Sequence, residues 1–201
     1  MSNAALAIIH DEHRSMMAVI HGLQFLVREI RAKAAAPDFK LFWAMIYYMD
    51  AFPERLHHPK ENMYLFARLR ERTGEADEVI DELEREHREG GLQVRALEQA
   101  LGYFEAGKPD GLEVFAAASE KFSDEVRNHI DLEERILLPL AKRHLTAEDW
   151  VVIGDAFGEN GDPRFGAEPD NEFRHLFSRI VNLAPPPIGV GPSLPDAPGE
   201  K

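Results

Sequence analysis

The chain has 201 residues, enough for one domain with a substantial core. Hydrophobic content of 44% and charged content of 29% are those of a globular protein, and a net charge of −13 argues against a nucleic-acid or anionic-membrane surface, which needs a basic patch. With no cysteine there are no disulfides, thiolate-held clusters or thiol nucleophile, so any metal must be held by nitrogen and oxygen, and a reducing cytoplasm is the expected compartment.

The N-terminal stretch Met1-Ser2-Asn3-Ala4-Ala5-Leu6 lacks a basic start and a long apolar run, so no signal peptide is expected. No apolar run approaches the ~20 residues of a membrane span. Helical periodicity then dominates. The first segment places Leu6, Ile9, His13, Met16, Ile20, Leu23, Val27 and Ile30 at three- and four-residue steps. The second, from about Lys40 to Arg72, is apolar on more than one face and contains Pro53 and Pro59. Proline removes a backbone donor, so a bend is expected just before His57. The third stripe runs Ile80, Leu83, His87, Gly90, Val94, Leu97, Leu101, Phe104, and the fourth Phe115, Ala118, Phe122, Val126, His129, Glu133, Ile136, Leu140.

After His144 the pattern shortens. Thr146 reads as the cap of a helix reaching about Phe157, with Trp150, Ile153 and Phe157 facing the bundle. Gly158 to Pro169 reads as loop and Asn171 to Leu183 as another helix. From Ala184 to Lys201 six prolines leave too little apolar material to offset ordering. The expected organisation is a bundle over 1–145, a helical extension packed on it over 146–183, and a flexible tail over 184–201.

The histidines carry the functional information. The position midway between His13 and His57 is 35, inside Ala34-Ala35-Ala36-Pro37-Asp38. Between His57 and His87 it is 72, beside Thr73-Gly74, and between His87 and His129 it is 108, inside Gly107-Lys108-Pro109-Asp110-Gly111. Each is the strongest turn signal of its neighbourhood. Reversal at all three gives an all-α, antiparallel up-down four-helix bundle with four imidazoles at one height. Glu61 and Glu133 each follow a histidine by four residues, which stacks them on one helix face about a turn away. The two segments also match beyond that pair: His57-x-x-x-Glu61-x-x-x-Leu65-Phe66 and His129-x-x-x-Glu133-x-x-x-Leu137-Leu138. Diagonal placement of those helices gives the site approximate two-fold symmetry.

The i,i+4 spacing alone is weak evidence. His144/Glu148 has it too, but the Thr146 cap puts those residues on different elements. A lone imidazole on an apolar stripe is ordinarily a satisfied core residue. Four at one level with two carboxylates are better read as a metal site, with a metal-free buried network as the alternative. Imidazole plus carboxylate suits iron, manganese or zinc. Four nitrogens and two carboxylates exceed one tetrahedral zinc and fit two metals bridged by both carboxylates.

Asp11-Glu12-His13, His57-His58-Pro59-Lys60-Glu61, Glu86-His87 and His129-x-x-x-Glu133 together resemble the hemerythrin-like (HHE cation-binding) domain family, in its bacterial single-domain form, over roughly residues 5 to 145. The resemblance implies a four-helix bundle with a non-haem di-iron centre: His13, His57, His87 and His129 as ligands, and Glu61 and Glu133 as bridges. Gly91 stands where the oxygen-carrying members place a fifth histidine, and Glu134 where they place an aspartate. An open coordination position is therefore expected. His10, one turn from His13, is a candidate for a supporting role; His21, His58, His144 and His175 receive none.

Three readings remain open at this level. The first is a module that binds or senses dioxygen, nitric oxide or iron. The second is a di-iron enzyme, an oxidase or a repair protein for nitrosatively damaged iron centres, although the cysteine-bearing domain of the latter is missing. The third is a structural bundle with a polar core. The expectation leans away from an enzyme. Glu54-x-x-His57 and Glu84-x-x-His87 match the ferritin-like Glu-x-x-His pattern, but on adjacent helices.

Overall fold

The computed structural model describes residues 2–33, 35–159, 172–184 and 188–190. Among them there is no strand. The first rod of the bundle is α1 (Ser2–Arg31). The second is one continuous rod built of α2 (Phe39–Met49), a π-helical stretch π1 (Asp50–His57), α3 (His58–Lys60), a second π stretch π2 (Glu61–Phe66) and α4 (Ala67–Arg72). The third is α5 (Asp77–Glu105). The fourth runs through α6 (Gly111–Leu132), π3 (Glu133–Leu137) and α7 (Leu138–His144). All three reversals fall where the turn signals lie. Asp38 caps α2 by accepting from the Leu41 N–H (3.1 Å). Gly107, with φ of 70°, supplies the left-handed residue after α5.

The bend expected before His57 takes the form of π1. Pro53 lies inside it, and the His58 N–H reaches back five residues to the Pro53 carbonyl. Such a wide turn accommodates a missing donor without breaking the rod.

The extension after the bundle begins at α8 (Ala147–Gly158). Thr146 and Asp149 form a reciprocal capping box, which separates His144 from Glu148 as expected. Trp150, Ile153 and Phe157 are buried, and Gly154 faces Ala5 of α1. The last helix, α9 (Glu172–Leu183), lies against α2. The expected loop from Gly158 to Pro169 falls mostly outside the described residues, as does most of the tail. Within the tail, Ala184 is buried, Ile188 packs on the core beside Gly22, and the Val190 N–H bonds the Val181 carbonyl (2.9 Å).

Two apolar layers fill the bundle. One gathers Met16 to Ile30 of α1, Leu41 to Phe52, Val94 to Leu101 and Phe115 to Ile130. The other gathers Ala5 to Ile9, Leu65 to Leu69, Ile80, Leu83, Leu137 to Ala141 and α8. Between them, on every rod, lies a polar stratum: Glu12 and His13, His57 to Glu61, Glu86 and His87, His129 to Glu134. Aliphatic layers above and below exclude water from it and fix its height.

Candidate metal centre

His13 comes from α1, His57 from the last residue of π1, His87 from α5 and His129 from α6. Glu61 and Glu133 are the first residues of π2 and π3, so the internal repeat seen in sequence extends to the backbone. π turns inside α-helices are frequent at functional sites. Here each begins at a carboxylate.

The imidazoles meet in two pairs. His13 Nε2 and His57 Nε2 lie 3.1 Å apart, as do His87 Nε2 and His129 Nε2. Every Nδ1 is committed elsewhere. The His57 Nδ1–H donates to Glu12 (2.6 Å), that of His129 to Glu86 (2.7 Å), that of His13 to Glu134 (2.8 Å) and that of His87 to the Asn62 amide oxygen (2.8 Å). Such outer acceptors fix the tautomer and leave Nε2 facing inward. Each acceptor is a sequence neighbour of a candidate ligand on another rod: Glu12 precedes His13, Glu86 precedes His87, Asn62 follows Glu61 and Glu134 follows Glu133.

Glu61 and Glu133 are 0% exposed, and none of their four carboxylate oxygens accepts a hydrogen bond. A buried carboxylate without donors is costly unless a cation compensates it. Glu61 Oε1 lies 3.3 Å from His57 Nε2 and 3.9 Å from His13 Nε2, while its Oε2 lies 3.6 Å from His87 Nε2. Glu133 Oε2 lies 3.2 Å from His13 Nε2 and its Oε1 3.5 Å from His129 Nε2. Each carboxylate thus turns one oxygen to each imidazole pair. Among the described residues, donor atoms of His13, His57, Glu61 and Glu133 cluster within 4.8 Å, and so do those of His58, Glu61, His87 and His129. The donor set and its unpaired oxygens fit two cations bridged by carboxylate.

Without a cation, protons take its place. Burial lowers the His57 pKa, but the Glu61 and Glu12 carboxylates outweigh it and raise it to about 10. His13 is also held well above its ordinary value, burial being outweighed by Glu133, Glu134 and Glu61. His129 is raised too, burial being outweighed by Glu133 and Glu86. Burial would raise Glu61, yet the His57 and His13 imidazoles hold it well below the carboxylate range. His87 goes the other way: burial and the neighbouring His58 push it down to about 2, against the pull of Glu61.

The six residues singled out in sequence are all brought to this stratum. His58, given no role from sequence, is there as well, its ring stacked on His87 at 4.1 Å with planes 10° apart. Neighbours i and i+1 on a helix diverge by about 100°, roughly the angle between two adjoining rods seen from a bundle corner. His57 therefore turns to α1 and His58 to α5. Glu12 and Glu86 stood in the motif without a role, and Asn62 escaped the sequence reading; the shared Glu-His dipeptide on α1 and α5 was the available signal. His10 has a supporting position, its Nδ1–H donating to the same Glu134 oxygen that serves His13 (2.7 Å). His144 sits 3.5 Å from Glu75 at the far end of α7, and the His175 side chain lies outside the described residues. Gly91 borders no residue of the centre. It is Gly90 that matters, because a Cβ there would run into the Glu54 carboxylate.

Both sides are reached from the surface, by different routes. Phe157 of α8 stands edge-on to His57 (centroids 5.7 Å), and Lys60 ties that wall down by donating to the Ala156 carbonyl (2.6 Å). On the other side a cleft of about 160 Å³, lined by Glu54, His58, Glu86, His87, Gly90 and His129 among others, reaches the His87/His129 pair, and on the α1 side a wider hollow of about 440 Å³, lined by His10, His13, His21 and Glu134 among others, reaches His13.

A helical bundle with histidine–carboxylate clusters at mid-height has the architecture and donor set of a metal-binding bundle protein. The hemerythrin HHE cation-binding domain family matches residues 4–141, and the chain belongs to that family. No curated protein and no solved structure gives a significant match.

Proposed function

We propose that the centre holds two non-haem iron ions, with manganese or zinc as possible substitutes, and that it binds or senses a small diatomic, dioxygen or nitric oxide, or iron itself. His13, His57, His87 and His129 are the imidazole ligands, and Glu61 and Glu133 the bridges. The observation that carries this reading is the commitment of all four Nδ1 atoms to outer acceptors, around two buried carboxylates that accept no hydrogen bond and face only the inward Nε2 atoms. A structural polar core would pair those oxygens internally.

Bound iron would supply a redox-active centre with coordination positions for a small ligand. The protein's own part is to fix the Nε2 directions, to exclude water with the apolar layers on either side, and to admit a small molecule through the cleft beside His87. At about 160 Å³, and with Glu54, Glu86, Glu89 and Glu125 in its lining, that cleft suits a small neutral molecule better than a large or anionic substrate. No helix among the described residues is long and apolar enough to cross a membrane, and the cysteine-free composition favours the cytoplasm.

Elemental analysis of protein purified without added metal, followed by stopped-flow mixing of the reduced protein with each gas, tests the proposal. The expected result is about two irons per chain and a saturable, stoichiometric optical change with dioxygen or nitric oxide. Sustained oxidation of excess ferrous iron, with neither gas perturbing the spectrum, would replace the binding reading with an oxidase. Absence of any transition metal would leave only a structural bundle.

A further inference from the structure

We infer that the cleft beside His87 is the route by which a divalent cation enters the centre, with Glu89 and Glu125 toward its mouth and Glu54 at its inner end. The inference rests on the metal-centre reading above and concerns how that centre is filled. Four carboxylates line the cleft, Glu54, Glu86, Glu89 and Glu125, against one guanidinium, Arg85. That guanidinium is shared between Glu89 (2.6 Å) and Glu82, which lies outside the lining. The carboxylates are graded in depth. Side-chain exposure falls from 48% at Glu89 through 32% at Glu125 and 26% at Glu86 to 16% at Glu54, so oxygen donors are spaced from solvent inward. Glu54 reaches its depth because residue 90 is glycine: its carboxylate occupies the volume of the missing Cβ. From there the way is short. Glu54 Oε1 lies 3.4 Å from His58 Nδ1, and the His58 ring stacks on His87 at 4.1 Å. Next to these rings stands Glu61, fully buried, whose oxygens accept no hydrogen bond and cluster with donor atoms of His58, His87 and His129 within 4.8 Å. A row of carboxylates leading to an uncompensated buried one draws a cation inward along its whole length.

The hollow on the α1 side lacks such a row. Its lining includes Arg14, and its one carboxylate, Glu134, already accepts from both His10 and His13. A neutral diatomic is indifferent to this contrast, but a cation is not.

The test is stopped-flow uptake of cobalt(II), followed by its visible absorption, into the full-length chain freed of metal. It compares wild type, the double variant Glu89→Gln/Glu125→Gln, and Arg14→Glu in the hollow. Wild-type uptake should slow as ionic strength rises. The double variant should load roughly tenfold more slowly, the low end of the range by which a focused field raises association rates, and should still reach the wild-type cobalt content. Arg14→Glu should load at the wild-type rate. A wild-type rate in the double variant would overturn the route through the cleft and leave the six-ligand centre standing. So would an acceleration in Arg14→Glu as large as the loss in the double variant, because net charge and not the cleft would then set the rate. A wild type that takes up no cobalt and is purified without iron would overturn the centre itself, and this inference with it.

Discussion

On the side of the centre made by α1 and π1, His13 and His57 are held by two carboxylates, Glu134 and Glu12, and covered by Phe157. On the side made by α5 and α6, His87 and His129 are held by Asn62 and Glu86, lie beneath His58, and face a cleft. The internal repeat relates the sides residue by residue: His13 to His87, His57 to His129, Glu12 to Glu86, Glu61 to Glu133. Of the positions where the relation breaks, two lie directly against the His87 ring or its counterpart. Glu134 corresponds to Asn62, and Ile130 to His58. An amide in place of a carboxylate, and an imidazole in place of an alkyl group, turn a symmetric scaffold into an asymmetric site.

Those two exchanges act in the same electrostatic direction. A carboxylate on Nδ1 stabilises imidazolium, whereas an amide oxygen gives a bond without a charge. A second imidazole stacked on the first disfavours protonation of either. Both imidazoles of the α1 side therefore hold protons until a cation displaces them, whereas on the other side only His129 is held up and His87 is already neutral and ready to ligate.

The largest effect should come from the group both sides share. Glu61 turns one oxygen to each imidazole pair. Glu61→Ala should bring iron close to zero, whereas His57→Ala or His129→Ala should lower it sharply and His144→Ala should leave it unchanged. Elemental analysis of the folded variants decides this. Retention of one tightly bound iron in Glu61→Ala would mean that the halves bind independently and that the comparison overstates their coupling.

Protonation separates the halves next. In the metal-free protein His57, raised to about 10, contributes stability that is fully present below its unfolded value of about 6.5 and is lost as pH rises through about 10. His87, depressed to about 2, contributes stability present above about 6.5 and lost as pH falls toward 2. At neutral pH, loading with metal should therefore release protons, and they should come from His13, His57 and His129 but not from His87. Imidazole NMR resonances of the apo protein should show His57 charged and His87 neutral at pH 7. Calorimetric titration in buffers of different ionisation enthalpy then counts the protons. A release that persists undiminished in His57→Ala would contradict the assignment.

Much of this architecture was legible in sequence because it rests on periodicity and turn chemistry. The three reversals at Ala34–Asp38, Thr73-Gly74 and Gly107–Gly111, the Thr146 cap, and the common height of four histidines all follow from spacing. What escaped depends on rotation about helix axes. His58 lacks the alignment about the turns that singles out the other four histidines, yet a rod at a bundle corner has two inward directions. The partners of the Nδ1 atoms lie on other rods, and no single-helix pattern identifies them. The π turns at Glu61 and Glu133 depend on hydrogen bonds that shift by one residue, and hydropathy does not record that. Gly91 was expected to open space at the centre by its spacing from His87; the contact that uses a missing side chain is one residue earlier, at Gly90.

Exchanging the outer acceptors should weaken or equalise the two sides by a smaller amount. Glu134→Gln removes the charge behind His13 and should lower metal affinity roughly 10–100-fold. Asn62→Asp should raise the His87 pKa from about 2 and make its side resemble the other. Competition with a chelator, read with the NMR titration of His87, checks both. If Asn62→Asp leaves His87 unmoved, burial beside His58 sets its protonation, and the amide–carboxylate exchange is not the origin of the asymmetry.

The smallest effect should come from the far end of the molecule. Ile188 packs beside Gly22 and Met45, where a Cβ on Gly22 would come within 2.9 Å of the isoleucine, and the Val190 N–H ties this turn to α9. These contacts belong to the apolar layer that contains Met16 to Ile30, several turns from the polar stratum. Truncation after Val190 leaves them intact and should not change the melting temperature. Truncation after Leu183 removes Ala184, which is buried, and Ile188, which is partly buried. It should cost about 1–2 kcal/mol, less than full burial of an isoleucine would give. Neither cut should change iron content or the number of protons released on loading, because Ala184 and Ile188 pack in the distal layer. Thermal unfolding of the two truncated chains gives the stability difference, and metal analysis of the same samples tests whether the asymmetry is local. A change in iron content on cutting after Leu183 would show that the distal layer sets the spacing of the rods at the centre, and that its two halves owe their difference to more than Asn62 and His58.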